Sequence, residues 1–110
     1  MNWKRVARTA ELEPGEMKRV FVADIDIALC NLAGAFHAID NVCTHAYACL
    51  TDGYLEGDTV ECPLHGGRFD VRTGAASGGI VTEDLRRFAV RVEGDDVFVS
   101  VGDGVGAENP

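Results

Sequence analysis

Between Phe88 and Val101 the chain reads Phe-Ala-Val-Arg-Val-Glu-Gly-Asp-Asp-Val-Phe-Val-Ser-Val. Phe88, Val90 and Val92 alternate with Ala89 and Arg91, the two-residue period of a strand with one buried face. Glu93-Gly94-Asp95-Asp96 interrupts the run with turn residues, and Val97, Val99 and Val101 resume it. Two alternating runs around a short polar turn predict an antiparallel hairpin.

The same pattern recurs towards the N-terminus. Ile25, Ile27 and Leu29 alternate with Asp26 and Ala28, and Asn31-Leu32-Ala33-Gly34 reads as a turn into a second short strand over residues 35–39. Pro14-Gly15 marks another turn before a strand around residues 17–22. No stretch carries a capped apolar stripe of helical period; residues 82–87 offer at most one helical turn. Many short strands with glycine-rich connections predict an all-β domain, an antiparallel sandwich or barrel. Residues 41–79 stand apart, glycine-rich and without clear periodicity, and a long irregular stretch of that kind is expected to be functional or held by something other than its own core. Residues 102–110 read as a flexible tail. Its Gly102, Gly104 and Gly106 imitate a dinucleotide loop, but no helix follows to present amides to phosphate.

Composition fits one soluble globular domain: 110 residues, 46% hydrophobic and 25% charged. No apolar run is long enough to span a membrane and no secretory signal is evident, so the expected compartment is the cytoplasm. Ten basic against eighteen acidic residues give −8, the wrong sign for a nucleic-acid surface. The acidity is uneven, because residues 21–62 hold seven acidic side chains and no Lys or Arg. That stretch is either a solubilising surface or a guide for basic partner proteins.

Four of the seven Cys and His residues form two similar pairs inside the irregular stretch. One is Cys43-Thr44-His45 and the other is Cys62-Pro63-Leu64-His65, with sixteen residues between His45 and Cys62. Each pair offers a soft thiolate and an imidazole, so two loops brought together present two sulfurs and two nitrogens. Gly66 and Gly67 suit a tight turn after the second pair, and Pro63 stiffens its approach. The residues alone leave three readings open: buried cysteines with unrelated histidines, a structural Cys2His2 zinc site, or a two-iron cluster ligated unequally.

The two pairs and their spacing resemble the Rieske motif. Gly53-Tyr54-Leu55-Glu56-Gly57-Asp58 and Val60-Glu61-Cys62 resemble the soluble Rieske ferredoxins of multicomponent aromatic-ring-hydroxylating dioxygenases. The resemblance implies a Rieske-like sandwich or barrel, residues 1–101, with a small inserted cluster-binding subdomain of two loops at about 41–79. It implies one [2Fe-2S] cluster, with Cys43 and Cys62 on the inner iron and His45 and His65 on the outer iron. The implied role is one-electron transfer in aromatic hydrocarbon catabolism, from an NAD(P)H-dependent flavoprotein reductase to a terminal oxygenase, by a monomeric carrier that is not itself an enzyme. A ferredoxin for another oxygenase or monooxygenase, and a zinc-stapled interaction module, are the alternatives.

High-potential relatives carry a cysteine pair that bridges the two loops; here Leu64 occupies one of those places, and Cys49 lies one residue from the other, so no bridge is expected. Cys30 reads as a core residue. Those relatives also place hydroxyls where Gly67 and Phe69 stand here, so the resemblance implies a potential towards the low end of the Rieske range, about −150 mV. A proline-containing cover found in many members is replaced by Gly74-Ala75-Ala76-Ser77-Gly78-Gly79, which implies a more mobile cover. With His45 and His65 assigned, only His37 remains, too few for a mononuclear oxygenase iron. The expected docking tip bears His45 and His65 with Ala46, Tyr47, Leu64 and Gly66 around them.

Overall fold

The computed structural model describes residues 2–44, 47–64, 66–79, 81 and 83–102. Among the described residues ten strands form two antiparallel sheets. β1 (Lys4–Arg8), β10 (Asp96–Ser100), β9 (Arg87–Glu93), β4 (Ala35–Asp40), β3 (Ile25–Leu32) and β2 (Met17–Val22) lie in that order in the larger sheet. Its edge strands β1 and β2 approach each other, so the sheet curls almost into a barrel. The smaller sheet has the order β5 (Tyr54–Glu56), β6 (Thr59–Glu61), β7 (Arg68–Asp70) and β8 (Ala76–Gly78).

The predicted hairpin is present as β9–β10, with Val92 opposite Val97 and Val90 opposite Val99. Ala33 and Gly34 turn β3 into β4 at positive φ, and the buried Asn31 caps that turn by accepting from the Gly34 N–H at 2.8 Å. Ala23 and Asp24 make the equivalent turn between β2 and β3 at φ of 51° and 67°. No glycine marks that turn, which is why it was not legible.

β3 differs from the expected half-buried strand. Ile27 and Leu29 enter the barrel core with Val20, Ala38, Phe88, Val97 and Val99. Ala28 and Cys30 point the other way, into a second core with Ile39, Leu50, Val60, Phe69 and Val71. This central strand is therefore buried on both faces, and it joins the two halves of the molecule. The stretch 41–79 is also more regular than expected, since all four strands of the smaller sheet lie within it. Strands of three residues are too short to display an alternation. The suggested helical turn over residues 82–87 is not formed among the described residues: 83–86 are irregular and Arg87 opens β9, while Thr82 lies outside the described residues. The tail expected over 102–110 lies outside them from residue 103 on.

Candidate metal centre

The first loop rises from the end of β4. Its stem closes where Val42 bridges Cys49, the Cys43 N–H donates to the Ala48 carbonyl at 2.9 Å, and the Leu50 N–H donates to the Asn41 carbonyl at 2.7 Å. A short 3-10 turn, Leu50–Asp52, follows. The second loop joins β6 to β7. There the Cys62 N–H donates to the Gly67 carbonyl at 2.7 Å, and the Gly66 N–H returns to the Cys62 carbonyl at 3.1 Å. Gly66 adopts φ 71°, a conformation that disfavours a side chain.

Gly53 brings the loops together. A Cβ at that position would lie 2.1 Å from the Glu61 carbonyl oxygen and 3.0 Å from Pro63 Cδ. The backbone leaving the first loop thus packs directly on the backbone entering the second, which only a bare Cα allows.

Cys43 and Cys62 are 5% and 1% exposed, and both join the second core beside Leu50, Val60, Phe69, Val71, Val81 and Leu85. Above them the loops end in exposed side chains, Tyr47 at 97% and Leu64 at 55%. His45, His65 and Ala46 lie outside the described residues. Among the described residues no group of three or more Cys, His, Asp or Glu gathers, so two buried cysteines from two adjoining loops are what the structure contributes to the donor set. That contribution suits a metal cluster. Thiolates desolvated in an apolar core are costly unless a cation compensates them, and soft sulfur donors favour iron–sulfur or zinc.

The segment after β8 crosses both loops. A Cβ on Gly79 would lie 2.7 Å from the Gly66 carbonyl oxygen, and one on Gly67 would lie 2.5 Å from Val81 Cγ1. Further on, the Thr44 hydroxyl donates to the Glu83 carbonyl at 3.0 Å, and the Leu85 N–H donates to the Gly74 carbonyl at 2.7 Å. Arg86 finally grips Asp40 through its guanidinium at 2.8 to 3.1 Å and through its own N–H at 2.8 Å. The described part of this strap is therefore anchored at several points without proline.

The other cysteines behave differently. Burial pushes the Cys30 thiol up to about 12, so it stays protonated and packs as a small hydrophobe. Cys49 is a half-buried thiol in the first stem. His37 belongs to neither cysteine loop and lies opposite Cys30 across the β3–β4 pair; burial lowers its pKa, with Arg87 and Arg72 adding to the effect. Sequence reasoning missed Asn41, Gly53, Thr44 and Val81. Only Gly53 offered a signal, as the first residue of the Gly53–Asp58 stretch that carries the resemblance.

Comparison with known proteins follows the same lines. The family model described as the Rieske [2Fe-2S] domain matches residues 2–89. The ferredoxin component of biphenyl 2,3-dioxygenase from Rhodococcus jostii (strain RHA1) is 44% identical over 101 residues, covering 92% of this chain and 94% of that protein. Among solved structures, the ferredoxin of carbazole 1,9a-dioxygenase from Nocardioides aromaticivorans IC177 superposes with a TM-score of 0.87 at 34% identity, covering 91% of this chain and 98% of that one. A chain of the complex of reduced oxygenase and oxidized ferredoxin in carbazole 1,9a-dioxygenase also gives 0.87, at 35% identity, over 94% of this chain and 96% of that one.

Proposed function

The chain belongs to the Rieske [2Fe-2S] domain family, and on that premise we propose that it is the ferredoxin of an aromatic-ring-hydroxylating dioxygenase system, carrying one electron at a time to a terminal oxygenase. One Rieske-type cluster is its cofactor. We assign Cys43 and Cys62 to one iron and His45 and His65 to the other. The observation that carries this assignment is the burial of both cysteines in one apolar cluster, at the first position of two loops closed in the same way.

Such a cluster supplies reversible one-electron chemistry, at a higher potential than an all-cysteine cluster because imidazoles replace two thiolates. The chain's residues do the rest. Leu50, Val60, Phe69 and Val81 exclude water beneath and beside the cysteines. Tyr47 and Leu64 offer a small apolar rim, the scale of contact that suits a brief redox encounter. The electron donor in this reading is a flavoprotein reductase fed by NAD(P)H. The carrier works as a cytoplasmic monomer, with residues 1–101 as one domain and 41–79 as its cluster-binding part; among the described residues no helix is long and apolar enough to cross a membrane.

The test is the purified protein itself. Absorbance in the visible range that bleaches with dithionite, with equal iron and sulfide and a reduced-state paramagnetic signal, is the expected result. Reconstitution with a flavoprotein reductase and an aromatic dioxygenase should restore product formation. A colourless protein holding one zinc would overturn the reading in favour of an interaction module.

A further inference from the structure

The polar side chain buried deepest near the first loop is Asn41, which has no exposure at all. It stands two residues before Cys43, and its hydrogen-bonding groups are used across the loop stem. Its N–H donates to the Asp26 carbonyl at 3.0 Å, and its carbonyl accepts from the Leu50 N–H at 2.7 Å. Its side-chain amide donates to Asp26 Oδ1 at 3.0 Å and accepts from the Thr51 N–H at 2.9 Å.

We propose that Asn41 is a positioning residue for the first cysteine loop, holding Cys43 in register through its paired bonds to Asp26 and Thr51. The proposal rests on the functional reading above. Three observations support it. First, Asn41 connects both stems of the loop to β3, which is packed on both faces: its main-chain carbonyl takes the Leu50 N–H, and its side-chain amide takes the Thr51 N–H and reaches Asp26. Second, the chemistry needs an amide. One end faces a carboxylate and must donate, while the other faces an N–H and must accept, and no other side chain of that size offers both. Third, the acceptor is itself fixed. Arg19 grips Asp26 through two bonds at 2.8 and 3.0 Å, orienting the carboxylate so that Oδ1 also accepts from Asn41. Burial acts to raise the Asp26 carboxyl, but the bonds from Arg19 and Asn41 outweigh it and hold it below its ordinary value. Cys43 and Ala48 therefore inherit their placement from a satisfied polar network, and such networks behind a metal ligand fix ligand orientation.

The experiment uses the holoprotein and reads two quantities, the rate of iron release to a chelator and the reduction potential by voltammetry. Asn41→Asp keeps the acceptor for Thr51 but sets two carboxylate oxygens against each other where a bond stood. Iron release should quicken about tenfold or more, and the potential should move away from wild type. Combining Asn41→Asp with Asp26→Asn, in an Arg19→Ala background that removes the N–H otherwise facing the same atom, restores a donor–acceptor pair with its direction reversed, and should return both quantities towards wild type. Asp26→Asn alone keeps an oxygen for the Asn41 amide but turns its NH2 group against Arg19, so it should shift both quantities in the direction of Asn41→Asp and less far. An Asn41→Asp protein indistinguishable from wild type overturns the proposal, as does an exchanged pair no better than Asn41→Asp. Should Asn41→Asp fail to fold, the exchanged pair decides: a wild-type potential supports the proposal, and failure to hold iron overturns it. Wild-type protein without iron and sulfide overturns the functional reading instead.

Discussion

Cys43 and Cys62 occupy the same place in two loops that close alike: each donates its main-chain N–H to the carbonyl five residues on, Ala48 at 2.9 Å and Gly67 at 2.7 Å. The two sulfurs are thereby delivered to one buried cluster by independent, similarly built hairpins.

Replacing either sulfur by oxygen tests that equivalence. Cys43→Ser and Cys62→Ser should each abolish the visible absorbance and most of the iron, measured on protein of normal circular dichroism or, where the loops fail without metal, on refolded material. Cys30→Ala is the control. Its thiol is buried in the same cluster but held protonated, with its pKa pushed up to about 12. It should keep full iron and lose on the order of 1 kcal/mol of stability for the missing buried atom.

The contact between Gly67 and Val81 bears on the potential. A hydroxyl donated to cluster sulfur stabilises the reduced form, and a bond strengthened by about 1.4 kcal/mol on reduction raises a one-electron potential by roughly 59 mV. Gly67→Ser would supply such a hydroxyl, but its Cβ would lie 2.5 Å from Val81 Cγ1. The single change should therefore lower the melting temperature. Gly67→Ser with Val81→Ala should recover stability and show an upward shift by voltammetry, and adding Phe69→Tyr should extend the shift. Because Phe69 is fully buried, its new hydroxyl has little else to bond.

Much of this arrangement was legible in the sequence, for reasons that differ by element. The β9–β10 hairpin and the β3–β4 pair alternate over five or more residues, long enough for a period of two to register. The paired Cys–His motif was legible because four rare side chains recurred at matched spacing. What escaped notice depends on distant neighbours. Val81 matters only because it lies on Gly67, and Asn41 only because Asp26 and Thr51 face it. The second buried face of β3 was hidden for a like reason, since Ala28 shares that face with Asp26 and is small enough to pass for a solvent-side residue; only Cys30 read as core.

Glycines at positive φ separate two kinds of cost. Gly57 and Gly94 have φ near 60° and open space where a Cβ would stand, so Gly57→Ala and Gly94→Ala should cost about 1 kcal/mol each from backbone strain alone. Gly79 and Gly74 combine positive φ with contacts that a Cβ would make at 2.7 Å to the Gly66 carbonyl and 2.4 Å to the Leu85 carbonyl. Gly79→Ala and Gly74→Ala should cost at least about 2 kcal/mol, because backbone must move as well. Urea unfolding of the four variants checks the ranking, and equal costs would refute close packing of the strap.

His37 sets a pH dependence of stability. Burial, then Arg87 and Arg72, lower its folded pKa, so the unfolded chain takes up the proton first as the pH falls. The sign follows: stability declines below about pH 6.5, the unfolded value, as the solution approaches the lower folded pKa. His37→Gln removes this contribution. The urea midpoint of the variant should fall less than that of wild type between pH 7.5 and pH 5.5, and parallel losses would assign the acid sensitivity elsewhere.

Tyr47 and Leu64 give the docking tip its test. Both are exposed beside the two cysteine loops, and neither is part of a buried core, so their truncation should spare stability and potential. An aromatic side chain buried by a partner contributes about 1–2 kcal/mol or more, so Tyr47→Ala should raise the KM for the oxygenase roughly tenfold with little change in kcat. Leu64→Ala should act in the same direction and less strongly. Long-range charge should matter less than the count of acids suggests. Asp26, Asp40, Asp58 and Glu61 are each held by an arginine, Arg19, Arg86, Arg72 and Arg68. Among the described residues this leaves Asp24, Asp52 and Glu56 as the acids of that stretch without a partner in an ion pair, and their field is screened within about 10 Å at 0.1 M salt. Turnover should therefore fall only modestly with ionic strength in wild type, and steeply only if those three acids steer the approach, which Asp52→Asn with Glu56→Gln would then abolish.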